Sequence, residues 1–180
     1  MSTVAAPDLL QPLAYFRQNG GRALPSFETV PGENVPPPYR DLLVHHGDMT
    51  SRLEAFHGGP IELDVLHSGH SDDVYRREVL LRAAPHGVPV EYGAIEIFLD
   101  AFEEPLRAKI LEARIPLGGL LNTFKVSYRS EPRAFIKLAP DPQLDALFEI
   151  QGAHPLYGRV NLLLTRGARE LARIVEVLRP

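Results

Sequence analysis

From Tyr39 onward the apolar positions follow regular periods. Leu42, Leu43, His46, Met49, Leu53 and Phe56 recur at helical spacing. Gly47 interrupts that run and Asp48 is a good N-cap. The pattern therefore predicts two short helices in residues 39–57, meeting at Gly47-Asp48 and stopped by Gly58-Gly59-Pro60. Ile61, Leu63 and Val65 alternate with Glu62 and Asp64, which predicts a strand. Residues 67–73 read as a turn, 74–82 as a second strand, Pro85-His86-Gly87 as a hairpin turn and 88–99 as a long third strand. Pro105 marks a helix start, with Leu106, Ile110 and Leu111 apolar on one side, and a second helix fits 117–124 after Pro116. Residues 125–138 read as a strand in which Pro132 marks a bulge or an edge. A short helix fits 141–149, and 159–165 with 171–178 read as a closing hairpin around Arg166-Gly167-Ala168. Hairpins dominate and no βαβ rhythm appears. The expected class is α+β: an antiparallel sheet of about six strands with helices packed on it.

Proline divides the chain. Seven of its 17 prolines fall in the first 38 residues, ending in Pro36-Pro37-Pro38. Proline removes backbone donors and fixes φ, so residues 1–38 are expected to form an extended arm, with at most a short helical turn in 9–17. Such an arm either hangs as a loosely ordered tail or wraps over the domain through Leu13, Tyr15, Phe16 and Phe27. The regular domain is expected to occupy residues 39–180.

Composition then excludes chemistries. The 180 residues contain no cysteine, so thiolate nucleophiles, disulfides, iron–sulfur clusters and cysteine-ligated zinc are out. A net charge of −4 argues against a general nucleic-acid binder. No apolar run approaches a membrane span, and residues 1–10 lack the basic start and apolar stretch of a signal peptide, so a cytoplasmic protein is expected.

Strand alternation identifies charges on apolar faces. Arg77 shares a face with Tyr75, Val79 and Leu81, and Glu176 lies in an apolar strand beside Ala172, Ile174 and Leu178. A buried charge is costly unless it is paired or binds something. Arg77 offers a planar fork for a carboxylate, and Glu176 in apolar surroundings is suited to a raised pKa or to a ligand hydroxyl. The alternatives are an internal Arg–Glu ion pair and outward-facing strand ends. Six of seven histidines lie between His45 and His86, but neither His45-His46 with Asp48 nor His67 with His70 has good metal-ligand spacing. Ser68, Ser71 and Thr123 lack a nucleophile context. Gly118-Gly119 at a helix start suits an anion such as a carboxylate.

These segments resemble chorismate pyruvate-lyases. Residues 48–54, Asp-Met-Thr-Ser-Arg-Leu-Glu, are similar to that family's "MT-x-x-[LF]-E" helix, and Arg77-Glu78-Val79-Leu80-Leu81 to its "R-E-x-x-L" strand. Pro116-Leu117-Gly118 resembles its "PLG" turn, and the hairpin ending in Glu176 its closing hairpin. The four matches keep family order across residues 39–179. The resemblance implies a six-stranded antiparallel sheet enclosing an internal ligand pocket under helical flaps. It implies elimination of pyruvate from chorismate to give a hydroxybenzoate, most simply 4-hydroxybenzoate, without metal or cofactor. It passes carboxylate binding to Arg77, backbone-amide contacts to Met49 and Leu117, and the ring hydroxyl and ether side to Glu176. Ala94 stands where the ubiquinone-branch enzymes carry a second pocket arginine, with Glu96 two residues on as a substitute lining residue. The same fold resembles the ligand-sensing domains of some transcription regulators. A non-catalytic binder of aromatic acids, or a relative acting on another acid, is therefore the competing expectation.

Overall fold

The computed structural model describes residues 9–179; the first eight residues of the expected arm, and Pro180, lie outside them. Helix α1 (Gln11–Asn19) and strand β1 (Phe27–Val30) come first, followed by α2 (Tyr39–Leu43) and α3 (Met49–His57). Asp48 caps α3 as its sequence position predicts: its carboxylate accepts the Ser51 N–H at 2.8 Å, and Gly58 at φ 71° ends the helix. A meander of β2 (Ile61–Ser71), β3 (Val74–Ala83) and β4 (Val88–Phe98) leads into α4 (Leu106–Glu112) and α5 (Leu117–Thr123). The chain closes with β5 (Tyr128–Leu138), α6 (Pro142–Leu147), β6 (Leu156–Thr165) and β7 (Glu170–Leu178).

The strands form one sheet in the order β1-β5-β6-β7-β4-β3-β2, every neighbouring pair antiparallel. The expected α+β architecture is present, with seven strands instead of six. The additional strand is β1, in the proline-rich segment: Pro25 and Pro31 bracket four residues that pair with the outer side of β5, where missing donors cost no ladder bond. The expected turn in residues 67–73 is also shorter than the sequence indicates. β2 runs through it after a bulge between Val65 and His67, pairing Ser68 with Arg77 and His70 with Tyr75, so cross-strand pairing overrides local turn preference. Pro132 sits at the expected bulge in β5.

Helices cover both faces of the sheet. On one face α1 and α6 bury Leu10, Leu13, Leu144 and Phe148 against Leu80, Tyr92, Ala94, Val175 and Val177. The expected arm is thus, in residues 9–38, a nine-residue helix and a sheet strand joined to the core. Arg17, buried on α1, donates two bonds of 3.0 and 2.9 Å to Asp141, which also caps α6 by accepting the Leu144 N–H. Burial works to raise the Asp141 carboxyl, but the Arg17 and amide hydrogen bonds outweigh it and hold it below its ordinary value. Folded protein therefore binds this proton less readily than unfolded chain. The stability involved is present above the ordinary carboxylate pKa and lost as pH falls through the lowered folded value. Asp141→Asn is expected to flatten the acid limb of the stability–pH curve in urea denaturation; an unchanged acid limb would refute that role.

On the other face lie α2 to α5. On the α1 side, where Gly158 pairs with Val177, β6 and β7 approach so closely that a β-carbon at Gly158 would stand 2.3 Å from the Glu176 carbonyl oxygen. Gly158→Ala is expected to cost about 3 kcal/mol, the upper end of overpacking penalties, and to disturb the pairing at Glu176. Thermal denaturation measures this directly.

Candidate functional site

Beneath the first turns of α3 and α5, the second face of the sheet encloses a cavity of about 70 Å³. Its floor is four strands: Arg77, Val79 and Leu81 from β3, Glu91, Gly93 and Ile95 from β4, Ile174 and Glu176 from β7, and Arg159 and Asn161 from β6. Its roof is Asp48, Met49 and Thr50 from the start of α3 and Pro116, Leu117 and Gly118 from the start of α5. Met49 and Leu117 are the first residues of their helices, where backbone N–H groups have no intrahelical acceptor.

Four of the five residues expected at a site meet here: Met49, Arg77, Leu117 and Glu176. Glu96 does not. It points to the opposite face, where its carboxylate accepts a 2.7 Å bond from Arg76, itself stacked on Tyr15. Ala94 also points away, into the core beside Tyr92. The cavity-facing positions of β4 are Glu91, Gly93 and Ile95, so neither Ala94 nor Glu96 contributes a side chain to the cavity.

Arg77 and Glu176 do not pair with each other. Glu176 is bound by Arg159 on the adjacent strand, through Nε and, at 3.5 Å, Nη2. Arg159, 0% exposed, also donates from Nη1 to the carbonyls of Leu43 and His45 at 3.3 and 3.2 Å. Its donors are therefore engaged on three sides. Arg77, 1% exposed, is in a different condition: Nε and Nη1 have no hydrogen bond, Nη2 reaches the Ile115 carbonyl at 3.4 Å, and Tyr75 on the same face of β3 favours its charged form. Burial lowers its pKa, though arginine remains charged near neutrality.

Glu91 is the further unexpected group. It is 4% exposed, its Oε2 has no partner, and its Oε1 stands 3.5 Å from where a β-carbon on Gly93 would lie. Gly93 is paired with Glu176, so the two carboxyl groups sit diagonally on one face of the sheet. Burial, then the neighbouring Glu176, push the Glu91 carboxyl well above its ordinary value, with Arg159 opposing them. Both Glu91 and Arg159 were open to the alternation test that singles out Arg77. Arg159 and Asn161 alternate with Gly158, Val160 and Leu162, and Glu91 lies between Val90 and Tyr92.

The histidines have other partners. The His45 Nδ1 accepts the Gly47 N–H at 3.0 Å and its Nε2 lies 2.8 Å from the Leu42 carbonyl. Burial and Arg159 lower its pKa to about 4, so it is neutral at pH 7. His67 lies 2.7 Å from Glu78 on the far face, where Tyr92 also donates to that carboxylate. Among the described residues no three His, Asp or Glu side chains gather as metal ligands, and no helix is long and apolar enough to cross a membrane.

Solved structures share this architecture. PhnF from Mycobacterium smegmatis matches over 76% of this chain at 13% identity with a TM-score of 0.58, and the chain spans 65% of that protein. The isolated effector domain of PhnF matches over 74% of this chain and 88% of its own length, also at 13% identity and a TM-score of 0.58. The fold is chorismate lyase-like. A ligand-binding domain assigned to a GntR-family transcriptional regulator of Bordetella bronchiseptica matches at 16% identity over 66% of this chain and 85% of its own, with a TM-score of 0.50. No protein-family model matches the chain. No curated protein matches it either.

Proposed function

We propose that this domain binds a small organic acid in the cavity between the sheet and the first turns of α3 and α5, without converting it. One observation carries the reading: Arg77, a buried guanidinium with two unpartnered donor atoms, lines the cavity. A fixed cation of this kind is expensive to hold empty and is matched by a planar anion. Solved neighbours named as an effector domain and a ligand-binding domain support the same use of the fold. The present cavity has room for a few water molecules, so a hydroxybenzoate-sized acid enters only when the roof lifts from the sheet. The low net charge no longer argues against a nucleic-acid partner, because a ligand-binding domain can belong to a regulator that contacts DNA elsewhere.

The lyase reading has its own support: Met49, Arg77, Leu117 and Glu176, the residues implied by the resemblance, line one cavity. Against it, the Glu176 carboxylate is occupied by Arg159, and the other cavity carboxyl, Glu91, is pushed toward its protonated form. Both readings are separated by incubating the protein with chorismate and with 4-hydroxybenzoate. Binding without turnover predicts a raised melting temperature that requires Arg77, and no pyruvate. Pyruvate release abolished by Arg77→Met would establish the lyase instead. Neither a shift nor pyruvate with any aromatic or sugar acid would end both.

A further inference from the structure

We infer, on the reading that the cavity binds a small acid, that Glu91 sets its specificity: its carboxyl stands as a neutral O–H donor to an uncharged oxygen of the ligand, so the site takes a singly anionic acid and rejects dianions.

The inference begins from how the buried charges are matched. Arg159 is the cation nearest both glutamates on the sheet, and its guanidinium is already committed to Glu176 and to two backbone carbonyls. A second ionised carboxylate at Glu91 would have no donor. Its Oε2 is unpartnered, it is 4% exposed, and Glu176 is a diagonal neighbour. Two carboxylates sharing one cation in a buried site resolve the conflict by keeping one proton. Glu176, held by Arg159, is the ionised partner. Glu91 is the protonated one, consistent with its upward shift.

Arg77 sits on β3 and Glu91 on β4, both facing the cavity and separated by Val79 and Gly93, which pair across the two strands. An acid whose anionic group meets Arg77 therefore directs its far end toward Glu91. There it meets one hydroxyl-like donor with an ionised Glu176 behind it. A phenol, carbonyl or ether oxygen satisfies that donor. A methyl group leaves it unpaired. A second carboxylate would face the Glu176 charge with no cation left to neutralise it. Gly93 keeps this route open, because a β-carbon there would lie 3.0 Å from Val79 and 3.5 Å from the Glu91 carboxyl.

The test has two arms. The first needs no ligand: an infrared difference spectrum between wild type and Glu91→Gln at neutral pH. A lost protonated-carboxyl band is expected; a lost carboxylate band alone overturns the inference. In a Glu176→Gln background, where Arg159 is released to Glu91, the protonated band is expected to disappear. Its persistence would mean that Arg159 does not divide its charge between the two glutamates, and would overturn the account.

The second arm is calorimetric titration with 4-hydroxybenzoate, 4-methylbenzoate and terephthalate. The hydroxy acid is expected to bind about tenfold tighter than either of the others, the size of one satisfied hydrogen bond. Glu91→Gln, which keeps a donor, should hold the hydroxy acid within about threefold, whereas Glu91→Met should erase its advantage over the methyl compound. Terephthalate binding as well as the hydroxy acid, or equal ranking in Glu91→Met, overturns the assignment. If none of the three binds while the protonated band is present, the acid-binding reading fails and takes the specificity with it. An absent band with normal binding condemns Glu91 alone.

Discussion

Arg77→Met is expected to give a protein that melts higher than wild type without ligand and shows no stabilisation by any acid. Arg77 holds a full charge at 1% exposure with two donor atoms that no protein group meets. Methionine fills comparable volume without a charge to desolvate. Replacing buried ionic groups with well-packed apolar ones commonly stabilises by about 1–4 kcal/mol, and here the one hydrogen-bond acceptor released, the Ile115 carbonyl, belongs to an exposed residue. Neighbouring Val79, Ile95 and Leu163 already supply apolar contacts to the cavity wall. The same substitution removes the only side-chain cation in the cavity that is free to meet an anion. Stability and binding should move in opposite directions, the pattern expected of a residue retained for function. Chemical denaturation with and without 4-hydroxybenzoate measures both. A variant less stable than wild type, or one still stabilised by the acid, would remove Arg77 from the proposed role.

Glu176→Ala should behave in the reverse way and cost the ligand-free protein about 3 kcal/mol, the low end for breaking a buried pair, because Arg159 at 0% exposure loses its bound carboxylate and only the diagonal Glu91 can ionise in its place. Arg159 also ties β6 to the loop after α2 through the carbonyls of Leu43 and His45, so the damage should reach the roof of the cavity. A double variant, Arg159→Met with Glu176→Leu, should recover most of that loss, since it removes both charges together. Recovery in the double variant marks an ion-pair effect. If the double variant is as unstable as Glu176→Ala, the cost is one of packing and the ion-pair account is wrong. The two substitutions together separate the arginine that holds the sheet from the arginine that waits for a ligand.

Much of the fold was legible because its signals are local. The Asp48 cap, the Gly58 stop, the Pro85-His86-Gly87 hairpin and the Pro132 bulge each depend on a few adjacent residues, and each lies where the pattern places it. The elements that escaped are held by distant partners. β1 exists because Phe27–Val30 finds the outer edge of β5, and the helical turn expected in residues 9–17 extends into α1 because Leu10 and Leu13 fill the face under Tyr92. Neither partner is visible from a proline-rich stretch read alone.

The site divides in the same way. Strand alternation determined that Arg77 and Glu176 lie among apolar neighbours, and the starts of α3 and α5 follow from Asp48 and Pro116. Only the tertiary structure decided which charges meet. Register places Arg159 opposite Glu176 and brings Glu91 in on the diagonal, while Glu96 and Ala94 turn to the other face. The physical reason is that alternation is a property of one strand, whereas pairing belongs to two strands and their register. A shift of one residue exchanges the faces entirely. The unpaired state of Arg77, on which the proposed function rests, is thus a property of the assembled sheet, where its neighbour on the next strand is Ile95 and not an acid.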